Sequence, residues 1–222
     1  MRGEFLVNLC FHGIGRPARE LEPGEAAYWI GTGTFHDVLD AVAGDPRVRL
    51  SFDDGNASDA EVALPALVER GLPATFFVLA GRLDRPGSLS REQLLALHEH
   101  GMSVGSHGMD HVPWRHLDRA TADRELCRAR TELEDLVGSP VRDVALPLGR
   151  YDRRLLGLLR GLGYRSVHTS DRRWARSGAW LQPRFSVRAQ DTVPGLHDAV
   201  LRRPPLPGRT RSTLVGVAKR LR

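Results

Sequence analysis

Short apolar runs alternate with segments of helical periodicity through most of the 222 residues, and this alternation constrains the fold more than any other feature of the sequence. The apolar runs predict strands at 5–11, 48–52, 74–79, 102–104, 141–146, 164–167 and 185–187. Strand–helix–strand repetition is typical of a mainly parallel sheet. The pattern therefore predicts an α/β protein built as a compact β/α barrel, complete or incomplete, with an open doubly wound sheet as the alternative.

The segments between the predicted strands carry recognisable helix boundaries. These are two capping boxes (Ser58 with Glu61, Ser90 with Gln93), an apolar helix face running from Ala122 to a stop at Gly138, and a single cap at Asp152. The Gly- and Glu-rich segment 16–33 is expected to form a long surface loop or a short helix near the functional site.

The net charge of +5 is unevenly distributed. Residues 201–222 contain seven basic and no acidic residues, so subtracting seven leaves −2 on residues 1–200. We therefore expect one catalytic domain over residues 1–200 and a flexible basic Pro/Arg-rich tail over 201–222. The tail could contact an acidic partner or a membrane surface, and no specific nucleic-acid partner is expected.

The sequence contains neither a recognisable signal peptide nor an apolar stretch of the roughly 18 residues that a membrane span needs. The two cysteines, Cys10 and Cys127, lack the spacing of a zinc or redox motif, and buried thiols in a reducing compartment are expected. A cytoplasmic location is therefore predicted.

Two adjacent carboxylates, Asp53 and Asp54, follow the second predicted strand and precede Gly55. Adjacent buried carboxylates repel each other, and a divalent cation removes that penalty. Alone, such a sequence is more often a solvated turn. Two histidines four residues apart, His107 and His111, follow the strand at 102–104. On one face of a helical turn, both rings could reach one metal ion.

These two segments belong to separate β/α units, so both are expected at the carboxyl edge of the sheet, where active sites gather. Asp54, His107 and His111 would supply three metal ligands and leave an open position, which is typical of a catalytic zinc site. Asp53, free of the metal, would act as the base that activates water. Imidazole and carboxylate ligands suit Zn²⁺ first, with Co²⁺ or Ni²⁺ possible.

A third segment, 145–152, ends another predicted strand with Pro147 and Gly149 and contains a turn at which a backbone N–H could stabilise an oxyanion. A plain strand-to-helix turn capped by Asp152 is the simpler reading of this segment alone.

The S-F-D-D-G segment at 51–55, the H-x-x-x-H segment at 107–111 and the P-L-G-R-Y-D turn at 147–152 occur in this order. Together they resemble the polysaccharide deacetylase family (carbohydrate esterase family 4, the NodB-homology domain), over about residues 5–190. The resemblance implies a distorted, incomplete (β/α)₇ barrel that removes acetyl groups from sugars. It also implies Asp53 as the base, Asp54, His107 and His111 as metal ligands, and the Leu148 N–H as an oxyanion donor.

The chain departs from the family pattern at several positions. Gly108 replaces the usual Ser or Thr, and Ala145 replaces an Arg that braces the catalytic Asp. Arg184 resembles a late Pro-Arg element of one branch and is the candidate replacement. The family's late Leu-x-His motif is unconvincing around His197, so His12, at the end of the first strand, is the candidate catalytic acid.

The expected function is metal-dependent removal of acetyl groups, foremost N-acetyl groups, from an amino sugar in a glycan or glycan precursor, with a carbohydrate as the binding partner. Two alternatives stay open: a related amide hydrolase acting on a non-sugar substrate, and a non-catalytic carbohydrate-binding barrel. A glycosidase is disfavoured because its carboxyl groups lie about 5–9.5 Å apart across a sugar, and two adjacent aspartates supply that spacing poorly.

Overall fold

The strands of the computed structural model, which describes residues 5–201, form a closed barrel. They are β1 (Phe5–Phe11), β2 (Val48–Asp54), β3 (Ala74–Val78), β4 (Ser103–Ser106), β5 (Asp143–Ala145), β6 (Ser166–Thr169), β7 (Ala175–Arg176), β8 (Leu181–Pro183) and β9 (Phe185–Ser186). Strands β1 to β6 pair in chain order and in parallel, and β8 continues this order beside β6. Strand β9 then pairs with β1 and closes the barrel.

The seventh position of the barrel is divided between β8 and β9, with Arg184 between them. The side chain of Asn8 connects β1 to β8, because its Nδ2 donates to Gln182 Oε1 at 3.1 Å and to the Pro183 carbonyl at 3.0 Å. Strand β7 lies antiparallel on β1. The (β/α)₇ barrel expected from the sequence is therefore confirmed, with its distortion at the closing strand, and the open doubly wound sheet is excluded.

Most of the helices lie between strands, and the last one follows β9. They are α1 (Thr32–Val42), α2 (Leu64–Glu69), α3 (Arg91–Glu99), α4 (Arg119–Ala122), α5 (Ala129–Val137), α6 (Arg153–Gly161) and α7 (Val193–Leu196). Wider helical turns adjoin four of them: Asp59–Ala63 precedes α2, Asp123–Arg128 joins α4 to α5, and His197–Leu201 follows α7. Tight turns occur at Glu25–Tyr28, Ala80–Arg82 and Pro147–Gly149.

Most helix boundaries follow the sequence signals. The capping box of Ser90 with Gln93 is confirmed in both directions, and Gly138 ends α5 in a left-handed conformation. Asp152 caps α6 by accepting from Leu155 N at 2.9 Å. The capping box predicted at Ser58 is wrong, because its hydroxyl makes no hydrogen bond to the helix. The hydroxyl instead accepts from the Ile14 amide at 3.2 Å and so connects the segment after β2 to the loop after β1.

Strand periodicity positions the residues that matter for function. Phe11, Phe52 and Phe76 lie in register on neighbouring strands and stack, with ring centroids 5.2 and 4.6 Å apart. Because side chains alternate between the two faces of a strand, Ser51 and Asp53 point the opposite way from Phe52, into the barrel.

Two predicted features fall at the limits of the structure. Of the predicted tail at 201–222, all but Leu201 lies outside the described residues, and Leu201 is itself buried in the core. None of the helices within residues 5–201 combines the length and apolarity that a bilayer crossing requires.

Candidate metal centre

The carboxyl ends of β2 and β4 bring Asp54, His107 and His111 together at one end of the barrel. Their ligand atoms all lie within 4.8 Å of one another. His107 Nε2 and His111 Nε2 each lie 3.5 Å from Asp54 Oδ1. Ligands about 2.0–2.1 Å from one tetrahedral zinc ion would be separated by roughly 3.4 Å, so the spacing fits a single cation.

Both imidazole rings present the same nitrogen to Asp54. His107 Nδ1 lies 2.9 Å from the Ala145 carbonyl, and His111 Nδ1 lies 2.8 Å from Glu22 Oε2. A carbonyl or a carboxylate can only accept, so each ring donates from Nδ1 and leaves Nε2, the nitrogen that faces Asp54, as its possible ligand atom. Burial lowers the pKa of His107 to about 4, against the opposing pull of Asp53 and Asp54, which keeps this ring neutral at neutral pH.

Asp54 has a carboxylate oxygen that is available to a cation. Its Oδ1 is buried and has no hydrogen-bond partner among residues 5–201. The residue has φ 77°, an unusual conformation for a non-glycine residue, and Gly55 follows with φ 69°. An unpaired buried carboxylate oxygen that faces the Nε2 atoms of two imidazoles is a donor set suited to a divalent transition metal. The residues present therefore fit the ion that the family resemblance implies.

The two histidines do not lie on a helical turn, contrary to the sequence-based expectation. Gly108 has φ 90° and His111 φ 57°, so the segment is an irregular loop. Buried Glu125 holds this loop: its carboxylate accepts from Met109 N at 2.9 Å, Asp110 N at 3.2 Å and Trp114 Nε1 at 3.3 Å.

Sequence reasoning missed Glu125. The signal was its position three residues after Ala122 and four before Ala129, on the apolar helix face, where a carboxylate needs partners.

Gly108 is required by space as well as by backbone conformation. A Cβ at this position would lie 2.5 Å from Glu125 Oε2 and 2.8 Å from Trp114 Cζ2. The glycine that replaces the family's hydroxyl residue therefore lets Glu125 and Trp114 pack directly against the loop.

Asp53 lies beside this centre and faces Arg184. Arg184 Nη1 donates to Asp53 Oδ1 at 2.6 Å and Nη2 to Oδ2 at 2.7 Å, and both side chains are buried. Burial alone would raise the pKa of Asp53, but the charge and the hydrogen bonds of Arg184 outweigh it and hold this pKa well below its usual range. Arg184 also donates to Ser51 Oγ at 3.2 Å.

His12 also lies close to Asp53. One of its ring nitrogens lies within 4.8 Å of a carboxylate oxygen of Asp53 and of Cys10 Sγ. Its Nδ1 is buried without a hydrogen-bond partner in the described part of the chain, and its ring packs on Tyr28 at 4.9 Å. Because the Asp53 oxygens are bound by Arg184, this second cluster suits a metal ion less well than the first.

Leu148 lies in the turn Pro147–Gly149 with φ 55° and ψ 10°, and its side chain is exposed. The turn follows β5 directly, so its backbone belongs to the same end of the barrel as the metal centre.

Residues 40–167, more than half of the chain, match the polysaccharide deacetylase family. The chain belongs to this family. It is similar to the chitooligosaccharide deacetylases of Sinorhizobium fredii (33% identity over 61% of this chain and 63% of that protein) and Rhizobium leguminosarum bv. trifolii (31% identity over 63% and 64%). The chain thus spans less than two thirds of the length of these relatives.

Two solved structures have the same fold. IcaB from Ammonifex degensii superposes with a TM-score of 0.72 at 26% identity, covering 89% of this chain and 97% of that one. The Streptococcus pyogenes deacetylase PplD superposes with a TM-score of 0.78 at 20% identity, covering 91% of this chain and all of the other.

Proposed function

We propose that this member of the polysaccharide deacetylase family is a metal-dependent hydrolase that removes N-acetyl groups from an amino sugar in a glycan or glycan precursor. The observation that carries the proposal is the convergence of His107 Nε2 and His111 Nε2 on the unpartnered Asp54 Oδ1, with ionised Asp53 beside them. The similarity to chitooligosaccharide deacetylases supports an N-acetylated sugar as the substrate.

Asp54, His107 and His111 would hold the ion, with Zn²⁺ as the first candidate and Co²⁺ or Ni²⁺ suited to the same ligands. When bound, the ion supplies Lewis acidity that polarises a carbonyl and lowers the pKa of water to about 7. The rest of the chemistry falls to groups of the chain itself.

Asp53 takes a proton from the attacking water as the new carbon–oxygen bond forms at the acetyl carbon. Arg184 keeps Asp53 ionised and fixes the direction of its oxygens. The Leu148 N–H donates to the developing oxyanion. His12 gives a proton to the amine nitrogen as the carbon–nitrogen bond breaks, so the products are acetate and a free amine.

The test combines metal analysis of the purified protein with acetate release from N-acetylglucosamine oligomers. We expect about one divalent ion per chain, loss of acetate release in dipicolinate, and recovery on adding Zn²⁺. His111→Gln should lose both metal and activity, whereas His100→Gln, at an exposed position, should keep both.

Acetate release that is insensitive to the chelator would refute metal dependence. Binding of the oligomers without acetate release would favour the carbohydrate-binding alternative, and release of reducing ends would favour a glycosidase.

A further inference from the structure

The loop between β1 and α1 reaches across the barrel end and touches the metal centre through Glu22. Glu22 Oε2 lies 2.8 Å from His111 Nδ1. Its other oxygen, Oε1, pairs with Arg82. The Glu22 side chain is 39% exposed and that of His111 10%, so the contact forms the rim of the site and not its floor.

The two histidines are oriented by different parts of the molecule. His107 donates to a backbone carbonyl at the end of β5, a fixed element of the barrel. His111 depends on a side chain supplied from 89 residues away. An ionised carboxylate that accepts from a ligating imidazole fixes the tautomer, holds the ring plane and makes the other nitrogen a stronger donor. A backbone carbonyl supplies no net charge.

The loop is anchored by contacts that are independent of His111. Arg19 pairs with Glu25 and donates to Asn56 Oδ1 at 2.9 Å, directly after the metal-binding segment of β2. The Glu22 amide donates to Glu25 Oε2 at 2.8 Å. These bonds hold the backbone of Glu22 independently of the contact between its carboxylate and the ring.

We propose that Glu22 is a positioning residue that completes the metal centre by orienting His111 and raising its affinity for the ion. This inference rests on the proposed function, because it assumes that His111 binds a metal. It assigns the β1–α1 loop a role in cation binding beyond covering the barrel end.

The test measures Zn²⁺ affinity by competition with a chromophoric chelator, and the Co²⁺ absorption spectrum, for full-length variants. Glu22→Gln should weaken Zn²⁺ binding about tenfold and Glu22→Ala up to about 100-fold, with an altered Co²⁺ spectrum. Glu20→Gln removes the same charge from an exposed position in the same loop and should leave both readouts unchanged.

A second control separates orientation of the ring from anchoring of the loop. Arg82→Gln breaks the Arg82–Glu22 pair but leaves the contact to His111, and should change Zn²⁺ affinity less than threefold. Equal losses in Arg82→Gln and Glu22→Gln, or unchanged affinity in Glu22→Ala, would overturn the inference. If the unaltered protein binds no Zn²⁺, the proposed function fails first, and the two failures are thereby distinguished.

Discussion

Arg184 and Asp53 form two parallel hydrogen bonds across the interior of the barrel, at 2.6 and 2.7 Å. Arg184 lies in the interruption between β8 and β9, the only residue between the two halves of the closing strand, whereas Asp53 lies near the end of β2. The residue that interrupts the closing strand of the barrel therefore also orients the proposed catalytic base.

The first prediction concerns the stability of this pair. Arg184→Met should lower the free energy of unfolding by about 3–5 kcal/mol, because it leaves a buried carboxylate without its counter-charge. The double variant Arg184→Met/Asp53→Asn should lose less than the sum of its single variants, since no unpaired charge remains. Urea unfolding of the metal-free protein measures all three.

Ser51→Ala is the matched control, because it leaves the Arg184–Asp53 pair intact and removes a hydroxyl that accepts from Arg184 at 3.2 Å and donates to the Leu9 carbonyl at 3.2 Å. Loss of these two hydrogen bonds should lower the free energy of unfolding by about 1–2 kcal/mol. Strict additivity of the two single substitutions would contradict an energetic coupling between Arg184 and Asp53.

The second prediction separates the base from the ligands. Asp53→Asn should retain Zn²⁺ binding, because both oxygens of Asp53 face Arg184, but should lower turnover by at least about 10²–10⁴-fold through loss of proton transfer. Asp54→Asn should lose both. Zinc titration and acetate release on the same preparations measure the two effects.

Loss of Zn²⁺ in Asp53→Asn would mean that Asp53 also supports the ion, whereas turnover within about tenfold of the unaltered enzyme would mean that Asp53 is not the base.

Much of the barrel could be predicted because its strands are short apolar runs buried on both faces. β1 was predicted with the bounds it has, and the other long strands within a few residues. β7 and β8 were not predicted, because they have only two and three residues and because Gln182 and Pro183 of β8 break the apolar pattern. α1 was not predicted either, because no side chain caps its start. Its buried residues do have helical spacing: Phe35, Val38, Leu39 and Val42.

The residues predicted for the site follow strands, and the rule that parallel strands end at one edge brings them together. The supporting carboxylates follow no such rule. Glu22 meets His111 across 89 residues, and its neighbours Glu20 and Glu25 have the same local character. The role of Arg184 as the partner of Asp53 could be predicted only from the family resemblance, because nothing in the sequence around an isolated arginine indicates which carboxylate it pairs with.

The third prediction tests the requirement for glycine at 108. Gly108→Ala should destabilise the protein by at least about 1–3 kcal/mol, because an alanine at φ 90° is strained and its Cβ would collide with Glu125. It should also weaken Zn²⁺ binding by displacing the loop that carries both histidines. Thermal unfolding and zinc titration measure these effects.

Gly33→Ala is the control, since nothing lies within 4 Å of a Cβ there and alanine favours α1. It should be neutral or slightly stabilising. A Gly108→Ala protein with unaltered stability would contradict the packing described here.

The fourth prediction concerns His168, on β6, whose Nδ1 is buried without a partner among residues 5–201. Burial and the charge of Arg184 lower the pKa of His168 to about 3. The unfolded chain therefore binds a proton below about pH 6.5 that the folded protein excludes, so stability must fall as the pH falls between about 6.5 and 3.

Through this histidine alone, the free energy of unfolding should fall by about 2 kcal/mol between pH 7 and pH 5. His168→Gln should remove that part of the pH dependence, whereas His197→Gln, at an exposed position, should keep it. Urea unfolding of the metal-free variants at both pH values provides the measurement, because bound zinc would add its own proton linkage. Equal pH dependence in His168→Gln and the unaltered protein would mean that the folded barrel admits a proton at this ring.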